Sequence, residues 1–480
     1  MLTSYLIFMS ITVLFVDVLC VSYSRGGARA RFEKKLEVCH KYPFFQRHIK
    51  NLEHPNDRYL IYIFHDHSLG SNGGLGDRLG GLITAFAYAM RTNRTLLIFG
   101  DGSFNDAFEP YHPNNIDGKY NWKSWDWSGL SKSSYPTIGA ETNRFTKCVN
   151  PRPGQQFCAL DKELNHKVIK VRSNRAYLCR WAIRNDLVDP AHLQETLGLG
   201  HDSDLFEMAG CMLRLAMWPS EKLWAAVDMS LEQDPNVKGK VEFEDFVTDS
   251  QVGIHFRCGD SSFGASAKSK INPECVFTSH ESWKGTSFFD DHSLDSPIDA
   301  GKCGSHWASA LSTDMSAGTT SSAPVINIPK KRTLVFIASD YPPSAQQINN
   351  TIGWLYSITP PQGCHVDIQA NDRCTLITSV HWLMLALSDQ IVMQSMLVGE
   401  VQRNSSYSDA KYYYSYSDKS SGTQSRHEQP APISAFSRFA AIYSLSPGGI
   451  VYGSHCKTID PVALSHQTQG NWVCNPRVFF

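Results

Sequence analysis

Apolar residues in this chain fall into two recurring patterns, unbroken short runs and helically spaced positions, and the two alternate. Positions 60–64 (LIYIF) are apolar throughout, as a strand buried on both faces requires. A glycine-rich stretch follows at 70–78, and Leu79, Leu82, Ile83, Phe86 and Met90 then recur at helical spacing. Positions 94–99 (RTLLIF) predict a second strand. Strand, glycine turn, helix and strand make a βαβ unit, and hence a doubly wound parallel sheet. Helical spacing returns over 204–217 and 220–232. A second α/β series begins with a strand over 252–256 and a strand over 334–338. A helix near 343–357 follows, then a helix marked by Ile377, Val380, Met384 and Leu387. Short strands over 390–394 and 449–453 flank a helix opening at Ser434.

Between these elements lie stretches without periodicity. Residues 111–175 are rich in Trp, Pro, Asn and Cys and read as long loops. Residues 261–330 read as a Ser/Gly/Cys-rich insertion and 397–430 as a Tyr/Ser-rich one. Residues 233–249 are polar and suit a link between halves. The expected organisation is a leader over 1–24 and a stem, or the edge of the first domain, over 25–50. An N-terminal Rossmann-like domain spans 51–240 and a C-terminal one 241–480. The expected fold class is α/β, two Rossmann-like domains facing a central cleft, with ligand at the C-terminal ends of the strands. The length of 480 residues agrees, being too great for one ordinary core.

Composition narrows the partners. A formal net charge of -1 leaves no global basic excess to hold a nucleic-acid backbone, so any anion site is local. An apolar run over 5–21, interrupted by Asp17 and followed by Arg25, Arg29, Arg31, Lys34 and Lys35, predicts a signal peptide or a signal anchor. Sequons at Asn93, Asn349 and Asn404 and thirteen cysteines with no C-x-x-C spacing favour a lumenal, disulfide-bonded protein over a zinc protein. Many of those cysteines (Cys148, Cys158, Cys275, Cys303, Cys364, Cys374, Cys456, Cys474) stand beside loop residues.

The candidate chemistry sits at predicted strand ends. Gly73, Gly74 and Gly76 precede a helix whose free N–H groups suit an anion; a tight turn needing glycine is the plain alternative. His255 and Arg257 share a strand face, with Asp260 close behind. The arginine could grip a diphosphate through two parallel bonds, or pair with Asp260 as a structural salt bridge. Asp340 suits a nucleobase or ribose hydroxyl, or a helix cap. Ser434 and Ser437 suit phosphate oxygens, or again a cap. His65 and His67, flanking Asp66 at the first strand end, suit a metal or simply share a solvent face, and Asp202-Ser203-Asp204 matches a metal-binding D-x-D but lies in a turn before a helix, where capping is the simpler role.

Five motifs, in order, resemble the GT-B type fucosyltransferases, a group that includes plant xyloglucan α-1,2-, core α-1,6- and protein O-fucosyltransferases. The loop 74–78 with the segment after it is similar to their first βαβ unit, and 103–110 (SFNDAFEP) to their acidic loop. VGIHFRCGD (252–260) resembles their first donor motif, LVFIASD (334–340) the second, and 381–395 with 434–445 the third. Asp77 and Cys258 depart from the pattern, as does the interruption of the third motif by 397–430. The resemblance implies GDP-fucose as donor, no cofactor or metal, inversion at the anomeric carbon, and a glycan or glycoprotein acceptor in the Golgi or ER lumen. It implies that Arg257 binds the β-phosphate, with His255 and Asp340 at the guanosine and Ser434 and Ser437 at the diphosphate. Gly74, Gly76 and Asp260 complete the expected donor set, and Asp66, His67, Asp101 and Glu109 are candidates for the acceptor base. A protein O-fucosyltransferase and an inactive glycan-binding relative are the alternatives.

Overall fold

The computed structural model describes residues 32–54, 57–64, 74–100, 102–111, 137–138, 166–172, 195, 197–198, 205–233, 251–256, 297–313, 333–340, 342–352, 356–358, 372–393, 435–445, 450–452 and 457–458. Among these, no helix is long and apolar enough to cross a membrane; the N-terminal apolar run lies outside them.

The first sheet joins β1 (Tyr59–Ile63), β2 (Thr95–Phe99), β4 (Thr137–Ile138) and β5 (Val168–Val171) in the order β2-β1-β5-β4, all parallel. Alternation along β1 sends Leu60 and Tyr62, with Phe64 beyond it, into the main core, and Ile61 to the other face with Leu97 and Val168. Helix α2 (Leu75–Arg91) covers the main-core face, so the apolar run of β1 is explained by burial on both sides. Arg94, just before β2, is buried and donates to the carbonyls of His166 at 2.8 Å and Lys167 at 3.2 Å, tying the start of β2 to that of β5. A two-stranded antiparallel ribbon, β3 (Phe108–Glu109) with β6 (Trp218–Pro219), follows α3 (Gly102–Ala107).

The second sheet joins β7 (Gln251–Phe256), β8 (Leu334–Ser339), β9 (Tyr356–Ile358), β10 (Gln390–Met393), β11 (Ile450–Tyr452) and β12 (Lys457–Thr458) in the order β12-β11-β10-β7-β8-β9. All neighbours are parallel except β11 and β12. Val252, Ile254, Phe256, Val335 and Ile337 face α6 (Pro297–Thr313) and α7 (Pro342–Ile352), where they meet Ala300, Cys303, Ala345 and Ile348. Leu334, Phe336, Ile391 and Met393 face α8 (Asp372–Leu387) on the opposite side.

One apolar core runs between the sheets, from Phe32 through α2 and α4 (Leu205–Ala216) to α8 and α9 (Ala435–Ser444). Helix α9 packs against α2 and α4 of the first half as well as α8 of its own, and α8 packs against α3 and α5 (Glu221–Gln233). At Gly210 a Cβ would come within 2.3 Å of the Ile442 carbonyl oxygen, so only glycine lets α4 and α9 approach this closely.

Several expectations need correction. Residues 111–175 are not all loop: β4 and β5 lie within them, and β5 pairs directly with β1. Its signal was short and broken by Lys170. The insertion 261–330 contains α6, whose Gly301 and Gly304 allow near contact with Thr351 and Ile254. The glycine stretch ends sooner than expected, because α2 starts at Leu75 and takes in Gly76 and Asp77. Within the stretch expected as a stem or the edge of the first domain, a 3-10 helix (Lys35–Lys41) and α1 (Pro43–Glu53) bury Leu36, Cys39, Phe44 and Phe45. Proline at the first turn of α1 suits its fixed φ. A Cys39–Cys211 disulfide, with Cα atoms 5.4 Å apart, staples this edge to α4. The Tyr42 hydroxyl also donates to Glu207 at 2.7 Å. Cys303 and Cys374 are disulfide-bonded too.

Candidate functional site

The C-terminal edge of the second sheet brings together three of the predicted donor residues, His255, Asp340 and Ser437. In register, His255 lies beside Ala338 of β8 and Met393 of β10, and Phe256 beside Ser339. Three parallel strands therefore end together. Alternation puts Gly253 and His255 on the face opposite Val252 and Ile254. A Cβ at Gly253 would lie 2.7 Å from the Ser388 hydroxyl oxygen and 2.9 Å from a Leu385 methyl, so the C-terminal end of α8 presses directly on this strand. Two residues on, α8 has passed and the first turn of α9 takes its place.

There, the His255 Nδ1 and the Ser437 hydroxyl share a hydrogen bond, and the Phe436 ring lies 5.1 Å from the imidazole centroid. Ser437 is fully buried and His255 half-buried. The hydroxyl can donate or accept, so the imidazole can adopt either neutral tautomer. Helix α9 directs its first-turn N–H groups and the positive end of its dipole toward this edge. Asp340 follows β8 at the same edge and is buried, as is Ser339. Arg438, next to Ser437, is also buried, with its guanidinium carbon 5.1 Å from the Phe439 ring. An imidazole, a hydroxyl, a carboxylate and a helix N-terminus thus collect around the ends of parallel strands. That arrangement can bind a polar, anionic ligand.

Arg257, Asp260 and Ser434 lie outside the described residues, as do Asp66, His67, Asp101, Asn404 and the Asp202-Ser203-Asp204 triplet. In the first half, Gly74 accepts a bond from the Arg78 amide at 3.2 Å, and Gly76 is buried in the opening turn of α2. Arg78 is itself buried; its guanidinium donates to the Phe64 carbonyl at 3.2 Å, and its own carbonyl accepts from the Tyr62 hydroxyl at 2.7 Å. Those bonds fasten α2 to the end of β1. Glu109 is half-buried in β3 opposite Trp218. Asn93 is exposed in a turn with φ 51°, whereas Asn349 lies in α7 and accepts a hydrogen bond from Ser357. Among the described residues, no three His, Cys, Asp or Glu side chains gather as metal ligands would. Sequence reasoning missed Phe436; its one signal was its place between the two serines at the opening of α9.

Fold and site together define a class: parallel α/β with a polar ligand edge at the strand ends. No family model matches the chain, and no curated protein matches it. Fucosyltransferases are among the solved structures that it matches. Arabidopsis thaliana FUT1, an arginine-to-lysine mutant in complex with GDP, is 13% identical over 85% of this chain and 73% of its own, with a TM-score of 0.39. Bradyrhizobium fucosyltransferase NodZ is 15% identical over 80% of this chain and 92% of its own, with a TM-score of 0.33. NodZ α-1,6-fucosyltransferase soaked with GDP-fucose is 15% identical over 70% and 87%, with a TM-score of 0.30. Likeness at that level says nothing of activity, which must rest on this chain's own residues.

Proposed function

We propose that this protein is an inverting glycosyltransferase that moves L-fucose from GDP-fucose to a hydroxyl of a glycan acceptor, in the lumen of the Golgi or ER. The observation that carries the reading is the meeting of His255 with Ser437 and Phe436 across the C-terminal edge of the second sheet. Two of the five motifs that resemble the fucosyltransferases, far apart in sequence, converge there. In this reading the two Rossmann-like halves, 51–240 and 241–480, face a cleft, with the donor on the second.

The chemistry follows from the groups present. Departing GDP gains negative charge, and a helix N-terminus stabilises that charge without a metal. Arg257 adds bidentate, charge-assisted bonds to the β-phosphate. Asp340 accepts from the guanosine and His255 donates to it, while Ser434 and Ser437 hold phosphate oxygens and Gly74 and Gly76 border the cleft. Inversion needs in-line attack by an acceptor hydroxyl on the opposite face of the sugar, with its proton passing to Asp66, His67, Asp101 or Glu109. The test is GDP release from GDP-fucose by purified protein, with and without glycan acceptors. Turnover that needs a glycan supports the reading. Transfer to a folded protein's Ser or Thr instead would make it a protein O-fucosyltransferase, and binding without GDP release a glycan-binding relative.

A further inference from the structure

We infer that Arg214, on the first half's helix α4, is a positioning residue for the donor edge of the second half. The inference rests on the donor-site reading above. Helix α9 connects the two places. Its opening turn presents Ser437 and Phe436 to His255. Its last turn is held by Arg214, whose Nε donates to the Tyr443 carbonyl at 2.7 Å and whose two terminal nitrogens donate to the carbonyls of Phe32 at 2.7 Å and Ser444 at 3.4 Å. The guanidinium carbon stacks 3.8 Å from the centroid of the Phe32 ring. Carbonyls at a helix C-terminus have no partners within the helix, and a cation there meets both their hydrogen-bonding need and the negative end of the dipole. The Tyr443 hydroxyl adds a bond to the Met217 carbonyl at 2.5 Å, just beyond α4.

These bonds tie the far end of α9 to α4 and its neighbours. From Tyr443 back to Ser437 the helix spans only about 9 Å, at about 1.5 Å per residue. Every residue from Ser437 to Ser444 is buried. Over so short a stretch a shift at one end is delivered to the other, because the close-packed core leaves no room for bending. The first half thereby sets where Ser437 stands relative to His255.

The test is calorimetric titration of GDP into the full chain and its variants, well below each melting temperature, with the folded fraction checked by near-UV circular dichroism. Arg94→Met is the matched control: it also removes a buried arginine that bonds backbone carbonyls in the first half, but those carbonyls belong to Tyr59, His166 and Lys167, away from α9. Arg214→Met should weaken GDP binding at least about tenfold, as when α9 holds its binding position only about a tenth of the time. Arg214→Lys, which keeps the charge but not the fork, should fall between it and the wild type. Arg94→Met should lose stability and keep wild-type affinity. If Arg214→Met does not fold, Arg214→Lys decides by the same comparison. Wild-type affinity in the Arg214 variants, or an equal loss in Arg94→Met, would overturn the inference. A wild-type protein that binds no GDP would overturn the donor-site reading itself, and this inference with it.

Discussion

Replacing His48 by phenylalanine should remove an acid-sensitive contribution from the stability of this protein. His48 lies on α1, is 1% exposed, packs with its ring centroid 4.9 Å from that of Phe86, and makes no hydrogen bond of normal geometry through either ring nitrogen. Burial pulls its pKa from 6.5 down to about 3, and the nearby Leu215 backbone offsets only part of that fall. The sign follows from linkage. Between about pH 3 and 6.5 the unfolded chain binds a proton at this position and the folded chain does not, so stability rises with pH across that window. The contribution is complete above 6.5 and is lost as the pH falls toward 3. At about 1.4 kcal/mol per pH unit, moving from neutrality to pH 5 costs about 2 kcal/mol through this residue alone. Phenylalanine keeps the ring and removes the titration. Urea unfolding at about pH 7.5 and about pH 5, either side of the unfolded-state pKa, measures the difference directly for wild type and His48→Phe. The wild type should lose about 2 kcal/mol more than the variant on acidification. An equal loss in both would show that His48 is protonated or solvated in the folded state, and the reasoning would fail.

Three further outcomes are expected. Cys39→Ala with Cys211→Ala opens a loop of 172 residues, which chain entropy values at about 5 kcal/mol, and a much lower urea midpoint should result. Arg257→Lys should be nearly as damaging to GDP-fucose turnover as Arg257→Ala, roughly ten- to several-hundred-fold, because lysine cannot make the bidentate contact; near-wild-type turnover would make Arg257 a structural residue. Activity should survive EDTA, and loss that Mn²⁺ restores would place the protein in a different class of transferase.

Much of the fold was legible because it rests on local pattern. The unbroken apolar runs at 60–64 and 334–338 became β1 and β8, the predicted strand at 252–256 became β7, and the helical spacing after Leu79 became α2, since burial on one or two faces leaves its period in the sequence. Short or weakly patterned elements escaped: β5 carries Lys170 in mid-strand, and α6 carries Gly301 and Gly304 where it packs closely against Thr351 and Ile254. His255 and Ser437 were each legible as candidates, but their contact was not, being 182 residues apart. The Arg214 anchor, about as distant in sequence from the carbonyls of α9, left no signal at all. Periodicity reports which face of an element is buried. Which elements share that burial is decided by strand order and helix packing, so the sequence alone determined the strongly patterned elements and the candidate residues, and the tertiary structure alone decided that α9 joins the two halves.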